Sequence, residues 1–390
     1  MALPPVPLKD EQRALISHLA ELVEKDGEIA FLRPWVAGDR PRNAITLDPY
    51  HGYNVFFTLF SEWLHPHPGP PLYLTRHQIE QQGGRLEAEA RPVAVLYAGV
   101  YRPKPVAATE RELTAAPTPA ASPVASPLPL PGPDAAPIPS GAESAPKLPA
   151  RFFCVSSIVY HLGDTAGVRL PKKTRQFIDE QVNRVAWTEE EQCNRLRGIL
   201  EKASLCPVHY GGNQAYYSPP GDYIQMPALT SFRSDLDHLI ALGHESVHAT
   251  GAAGRLKRPT VTAAHPTPHD RAIEEIVAVV GSLLLCQKGE INPPEAQLRS
   301  WAGYLKSWDL PQILREHPEH FARALVWADL AHLYIAEPEK RPDYVTKRQV
   351  SDQFQLDFVE SRVVAPDPIP PAVAALAAES TAEKWPAPGW

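Results

Sequence analysis

Apolar residues recur three and four apart near the start of the chain, at Leu8, Leu15, Ile16, Leu19, Leu22 and Val23. That period predicts an amphipathic helix over residues 8–30, ended by Phe31-Leu-Arg-Pro-Trp35. A polar turn, Arg40-Pro-Arg-Asn-Ala-Ile-Thr46, and Pro49-Tyr-His-Gly-Tyr-Asn54 lead into a second helix from Val55 to Leu64. Residues 73–84 read as a short strand, a capped helix and a Gly-Gly stop, and the β-branched run 91–101 as a strand. A strand over 151–160 and a helix from Thr188 to Lys202 follow. Ala215 to Met226 reads as a hairpin around Pro-Pro-Gly-Asp. Four further helices are expected, one containing residues 236–250 and the others near 271–286, 294–308 and 318–335.

Proline changes this picture. The chain has 44 prolines, and 13 of them lie between Pro103 and Pro149 among Ala and Ser. Such a segment buries too little apolar surface to offset its ordering entropy and is expected to be a disordered, extended tether. The expected organisation is α+β with two domains: a small N-terminal α+β domain over 1–102, a Pro/Ala-rich linker over 103–149, a second domain over 150–364, and a Pro/Ala-rich tail over 365–390. The net charge of -7 argues against a strongly basic nucleic-acid binder as a whole. Four widely spaced cysteines without a CxxC pair read as free thiols of a reducing cytoplasm. The N-terminus lacks a basic start followed by an apolar run, and no apolar stretch reaches membrane-spanning length. A cytoplasmic location is therefore expected.

The candidate chemistry lies in Ala241-Leu-Gly-His-Glu-Ser-Val-His-Ala-Thr-Gly251. Helical residues four apart share a face, so His244 and His248 can direct one imidazole nitrogen each at the same metal ion. Glu245 is then placed to take a proton from a metal-bound water. The spacing continues to Gly251, but a histidine at 254 would be needed for the metzincin pattern, and this chain has Gly254. The third ligand must come from elsewhere. Glu274 and Glu275 lie in an otherwise apolar helical run, where a carboxylate is costly unless paired or metal-bound. Glu275, on a second helix returning beside the first as in thermolysin-like zincins, is the expected ligand, with Glu274 the alternative. Zn2+ is the expected ion.

Taken together, the chain resembles the ArdC-type antirestriction proteins. The resemblance rests on Arg33-Pro-Trp35, Pro41-Arg-Asn-Ala-Ile-Thr46, Tyr50-His-Gly-Tyr-Asn54, Tyr73-Leu-Thr75 and Gln81-Gln-Gly-Gly84 in the first half. In the second half it rests on Ala215-Tyr-Tyr-Ser-Pro219, Asp222-Tyr-Ile-Gln-Met-Pro227, His244 to Gly251, Arg255-Leu256 and Glu274-Glu-Ile-Val-Ala278. It implies an N-terminal domain that binds single-stranded DNA and a C-terminal zincin-like metallopeptidase domain, carried on mobile elements such as plasmids to protect incoming DNA from restriction. Two positions depart from the family pattern. The acidic residue four after the glutamate ligand, which supports a ligand histidine, is Val279 here. The Lys/Gly-rich turn after the Gly-Gly pair is Arg85-Leu-Glu-Ala-Glu-Ala90, and residues 1–102 hold 10 Lys and Arg against 12 Asp and Glu.

Single strands are bound by cationic grooves with aromatic platforms. Arg33, Trp35, Arg40, Arg42, Asn43, Tyr50, Tyr53 and Asn54 put both residue types in one segment and are the expected DNA contacts, with Arg76 as an addition. The expected function is a zinc-dependent peptidase-like enzyme, acting on a protein substrate and tethered to a single-strand-binding domain. The strand 222–226 would pair with an extended substrate, and Tyr216 or Tyr217 would donate to the oxyanion. The alternative is a non-catalytic protein that coats single-stranded DNA and has a structural or decayed metal site. A third reading is an interaction protein whose proline tether recruits a partner.

Overall fold

The computed structural model describes residues 8–36, 39–101 and 151–347, with side chains left out at 97–101 and 151–155. The linker and tail expectations fall outside the described residues. The described residues up to Leu96 and from Val155 onward form one compact unit, and the strand ends 97–101 and 151–154 belong to a second.

The N-terminal half opens with α1 (Asp10–Asp26), which turns at Gly27 into α2 (Ile29–Val36). The single helix expected over 8–30 is thus two. The second helix runs through the segment expected to stop it and carries Pro34 inside it. There follow β1 (Arg42–Asn43), α3 (Tyr53–Leu64), β2 (Leu72–Thr75), α4 (Arg76–Gln81), β3 (Arg85–Leu86) and β4 (Pro92–Tyr101). Thr75 caps α4 by accepting the Gln78 N–H at 3.2 Å, and Gln78 answers with a bond from Thr75 N at 3.0 Å. This reciprocal box satisfies two of the N–H groups a helix start leaves open.

Beyond the proline-rich segment come β5 (Arg151–His161), β6 (Thr165–Ala166) and α5 (Lys172–Val182). The main sheet has the order β1-β2-β5-β4, with Leu74 opposite Tyr160. Strand β6 pairs with β3. The fold is mixed α and β as expected, but the N-terminal domain takes these three elements from beyond the expected boundary at residue 150. Pairing between strands so far apart in sequence leaves no local signal.

The C-terminal half adds α6 (Glu189–Ala203), β7 (Val208–Tyr210), β8 (Tyr216–Ser218), β9 (Tyr223–Met226), α7 (Asp235–Thr250), α8 (Pro259–Thr262), α9 (Pro268–Gly289), α10 (Glu295–Ser307), α11 (Leu310–Glu316) and α12 (Pro318–Ala336). The expected hairpin is β8–β9, antiparallel with Tyr217 opposite Ile224. Helices α7, α9 and α12 pack together over an apolar core that continues into the N-terminal half through Trp35, Phe56 and Phe60. A Cβ added at Gly281 on α9 would lie 2.8 Å from Val247 Cγ1 on α7. Only glycine lets the two helices come this close. None of the described helices is long and apolar enough to cross a membrane. Among the described residues Cys193, Cys206 and Cys286 are free thiols.

One buried ionic cluster joins the halves. Asp329 on α12 is paired with Arg40, accepts the Gly52 N–H at 3.0 Å and lies 3.0 Å from His51 Nδ1. Gly52 (φ 59) puts the start of α3 against Val326, 3.2 Å from where its Cβ would be. Burial raises the Asp329 pKa, but the Arg40 charge outweighs it and holds the carboxyl far below the usual range. Burial, then the Arg40 charge, lowers His332 to about 3.

Removing one partner of such a buried pair strands the other charge, so Arg40→Met should cost about 3–5 kcal/mol in urea unfolding at neutral pH. Acid should act in the same direction. Below its ordinary value of 6.5, an unfolded His332 takes a proton that the folded one refuses until about 3. Asp329 gives up its share of stability only below its ordinary value of 3.8. The urea midpoint should therefore fall between pH 7 and pH 4, and less so in His332→Gln.

Candidate metal centre

Helix α7 starts at Ser234, whose hydroxyl accepts the Asp237 N–H at 3.1 Å. Acidic Asp235 and Asp237 in its first turn suit the positive end of the helix dipole. His244 and His248 lie one turn apart on it, with ring centroids 4.9 Å apart. Glu275 on α9 meets both: its Oε2 is 3.6 Å from His244 Nε2 and 3.6 Å from His248 Nε2. Ligand atoms of the three residues fall within 4.8 Å of one another. The neighbouring residue Glu245 is buried.

The two glutamates part company by a helical step. Glu275 faces the histidines, and Glu274 faces Arg258 and Thr260. Arg258 is fully buried and donates to Glu274 through Nε (3.0 Å) and Nη2 (2.5 Å). The same guanidinium donates to Thr250 Oγ1 at 2.7 Å and to the Val247 carbonyl at 2.8 Å, closing the end of α7. Glu274 Oε1 then lies 3.1 Å from His248 Nδ1, and its Oε2 accepts from Thr260 at 2.5 Å. A carboxylate on the far nitrogen fixes a histidine's tautomer and orientation and makes it a better ligand. Burial works against the charge on Glu274, but Arg258 and then His248 outweigh it and bring the carboxyl to about 2. His248 is also penalised by burial, yet Glu275 and Glu274 raise its pKa well above the ordinary value.

His244 is treated differently. Its Nδ1 is buried with no hydrogen-bond partner among the described residues. Val279, one turn beyond Glu275, is fully buried in the apolar core. Glu275 Oε2 is also buried without a hydrogen-bond partner. Two imidazoles and a carboxylate, with an orphan oxygen between the two Nε2 atoms, suit a divalent cation of the zincin type.

Tyr304 on α10 was not foreseen. It is 41% exposed, and its hydroxyl lies beside Glu275 and near Glu245. Burial and then the Glu275 charge raise its pKa to about 12. The tyrosines expected to donate at the site are engaged elsewhere. Tyr217 donates to Asp222 at 2.8 Å and accepts from Arg255 at 3.1 Å, and Tyr216 meets Tyr223. The expectation that residues 222–226 pair with a substrate strand also needs correction. The sheet order is β7-β9-β8, so both edges of β9 are already used.

Residues 9–123 match the family model of the N-terminal domain of anti-restriction factor ArdC, and residues 197–325 that of a zincin-like metallopeptidase. The chain pairs an ArdC N-terminal domain with a zincin-like metallopeptidase domain. The crystal structure of metal-free antirestriction ArdC protein from plasmid R388 shares the fold of this chain. Its TM-score is 0.54 at 16% identity, over 88% of this chain and 99% of that one. A stretch of 120 residues is 30% identical to the uncharacterized protein y4eC of Sinorhizobium fredii, covering 31% of this chain and 38% of that protein. Another of 148 residues is 30% identical to DNA primase TraC of Escherichia coli, covering 38% of this chain and 10% of that protein.

In the ArdC-type domain most of the expected DNA contacts are structural. Trp35 is 1% exposed, against Phe31 and Phe56. Tyr50 is 6% exposed, and buried Asn54 exchanges bonds with the Leu96 backbone at 2.7 and 2.9 Å. Such side chains cannot stack on a base without leaving the core. Arg40 is committed to Asp329. Arg42 donates to the Leu47 carbonyl at 2.9 Å and lies over Phe177. Asn43 accepts from Ile45 N and Thr46 N to shape its own turn. Tyr53 is half-buried against Phe57. Arg33 is half-exposed, 3.7 Å from Glu295. Arg76 is exposed and lies over Tyr160.

A second group, Glu62, His67 and His161, also brings ligand atoms within 4.8 Å. Here His67 is bonded on both sides, to Glu62 at 2.9 Å and Asp164 at 3.0 Å. His161 accepts the Gly163 N–H at Nδ1, which leaves the proton on Nε2. That arrangement is an imidazolium clip holding β5 to the end of α3.

Elemental analysis should find about one divalent ion per chain, lost in His244→Ala and Glu275→Ala. Glu274→Gln strands the buried Arg258 guanidinium and should cost about 3–5 kcal/mol of stability; its folded fraction should show metal affinity weakened by about 10–100-fold in a chelator competition. Equal affinity in that variant would refute the supporting role of Glu274.

Proposed function

We propose that this protein binds single-stranded DNA through its ArdC-type domain and hydrolyses a peptide bond at the zincin-like centre, protecting incoming DNA from restriction. The observation that carries this reading is the convergence of His244, His248 and Glu275, with Glu245 beside them and Glu274 behind His248. His244 and His248 would hold the ion through Nε2, and Glu275 through Oε2. Zinc suits this donor set best, and manganese(II) is compatible with it. Once bound, the ion would polarise a substrate carbonyl and lower the pKa of a water molecule.

The chain's own groups supply the rest. Glu245, on the residue after the first histidine, would accept the proton of the attacking water and pass it to the leaving amine. Its burial keeps competing water away from the carboxylate. Tyr304 takes the place first expected for Tyr216 or Tyr217. Its hydroxyl would stay protonated at neutral pH and donate a hydrogen bond to the oxygen where negative charge develops. The substrate class is a protein, and the reaction would take place in the cytoplasm.

A second reading is favoured by one observation. Among the described residues His244 Nδ1 has no hydrogen-bond partner, and Val279 offers none. If that leaves the centre without activity, the protein protects DNA by coating the strand, and the ion is structural.

Glu245→Gln separates the two readings. It should retain the ion and strand binding but lose protection of unmodified plasmid DNA entering a restricting host. Protection equal to wild type would remove the catalytic role and leave strand coating.

A further inference from the structure

We propose that the phosphate-contacting face of the ArdC-type domain is the cationic segment Arg169, Lys172, Lys173 and Arg175, and that its partner is a single strand of DNA. This rests on the strand-binding reading above and gives it a surface. The segment lies beyond the proline-rich region, far in sequence from the residues first expected to bind.

All four side chains are exposed, and none has a carboxylate partner among the described residues. No Asp or Glu occurs between Asp164 and Asp179. This contrasts with a chain whose net charge is -7, and with Arg40 and Arg42, whose guanidinium groups are used internally.

The segment is also held firmly. Thr174 is fully buried and donates to the Ala44 carbonyl at 2.7 Å. Lys173 Nζ donates to the Thr46 carbonyl at 2.8 Å, and Arg169 N to the Gln82 carbonyl at 3.1 Å. Phe177 and Ile178 pack into the small apolar cluster under the sheet, and Arg42 lies over Phe177. The cations therefore sit on a fixed frame beside the turn 43–47 and the Gly83-Gly84 bend. Fixed cations lose less conformational freedom when they meet a phosphate chain than freely moving ones do.

The arrangement works against local stability, which a neutral surface role does not explain. Lys172, Lys173 and Arg175 occupy the first turn of α5, which has no acidic residue there. Like charge at a helix N-terminus is unfavourable. Helices α1, α6, α7 and α9 all carry acids in that position. A polyanion lying across the segment would reverse the penalty.

The test is fluorescence anisotropy with a labelled oligothymidylate of about 20 nucleotides, using the full chain and a Lys172→Ala/Lys173→Ala/Arg175→Ala variant over a range of salt. Unchanged metal content and thermal midpoint would show that the variant is folded. Affinity at low salt should fall by about tenfold or more, and the slope of log K against log salt should shrink by about 2, the share of three phosphate contacts on a single strand. Wild-type binding with the variant's affinity and slope undiminished would overturn this surface alone. No oligonucleotide binding by wild type would overturn the strand-binding reading itself, and this surface with it. Loss of binding to a polyglutamate probe in place of the oligonucleotide would assign the face to an acidic protein and also overturn the proposal.

Discussion

Two adjacent carboxylates on an otherwise apolar helix must both be neutralised, and the C-terminal half is arranged around that demand. Glu274 is met by a guanidinium that is itself fully buried, and Glu275 by two imidazoles. One guanidinium, Arg258, meets both Glu274 and the Val247 carbonyl near the end of α7. That bridge sets where His248 stands relative to α9. The charge pair thus positions the helices, and the helices position the site.

Helix spacing is the second constraint. Gly281 and Val247 touch where a single methyl group more would push α7 and α9 apart. The contact lies about two turns along α9 from Glu275, so any separation there is transmitted to the distance between Glu275 and the histidines. Helix α12 packs on both and carries Asp329, which binds Arg40 and Gly52 from the N-terminal half. The two domains thus share an apolar core and a buried ionic cluster. A rearrangement of the turn holding Arg40 would be felt first in α12, and through it in the two helices that hold the centre.

Much of this was legible in the sequence where the signal was local. The His244–His248 helix follows from a period of four, the Thr75 box from a Thr and a Gln three apart, and the β8–β9 hairpin from its turn. Glu274 and Glu275 were not separable, because a one-residue step on a helix is decided by what stands opposite. Arg258 and Thr260, which stand opposite Glu274, carry no local signal for the same reason. Tyr304 sits on a helix more than fifty residues beyond the motif, and nothing in its surroundings marks it. The aromatics Trp35 and Tyr50 carried the opposite error. A tyrosine or tryptophan beside arginines reads equally as a stacking platform or as core, and burial alone decides. The cations of 169–175 were passed over because β5 and β6 pair with β2 and β3 of the N-terminal domain, contacts that are not local.

Val279 bears on how the centre is held. The carboxylate that the family pattern places there would orient a histidine through a hydrogen bond. In this chain the supported histidine is His248, and its carboxylate comes from Glu274, one residue before the ligand instead of four after it. Among the described residues the buried Nδ1 of His244 has no hydrogen-bond partner. Its ring is therefore oriented by packing rather than by a bond, and packing fixes a ring's position better than its tautomer. The centre consequently depends more on the close approach of α7 and α9 than one with a carboxylate behind each histidine, and Gly281 becomes as much a part of the metal site as the residues that would touch the metal.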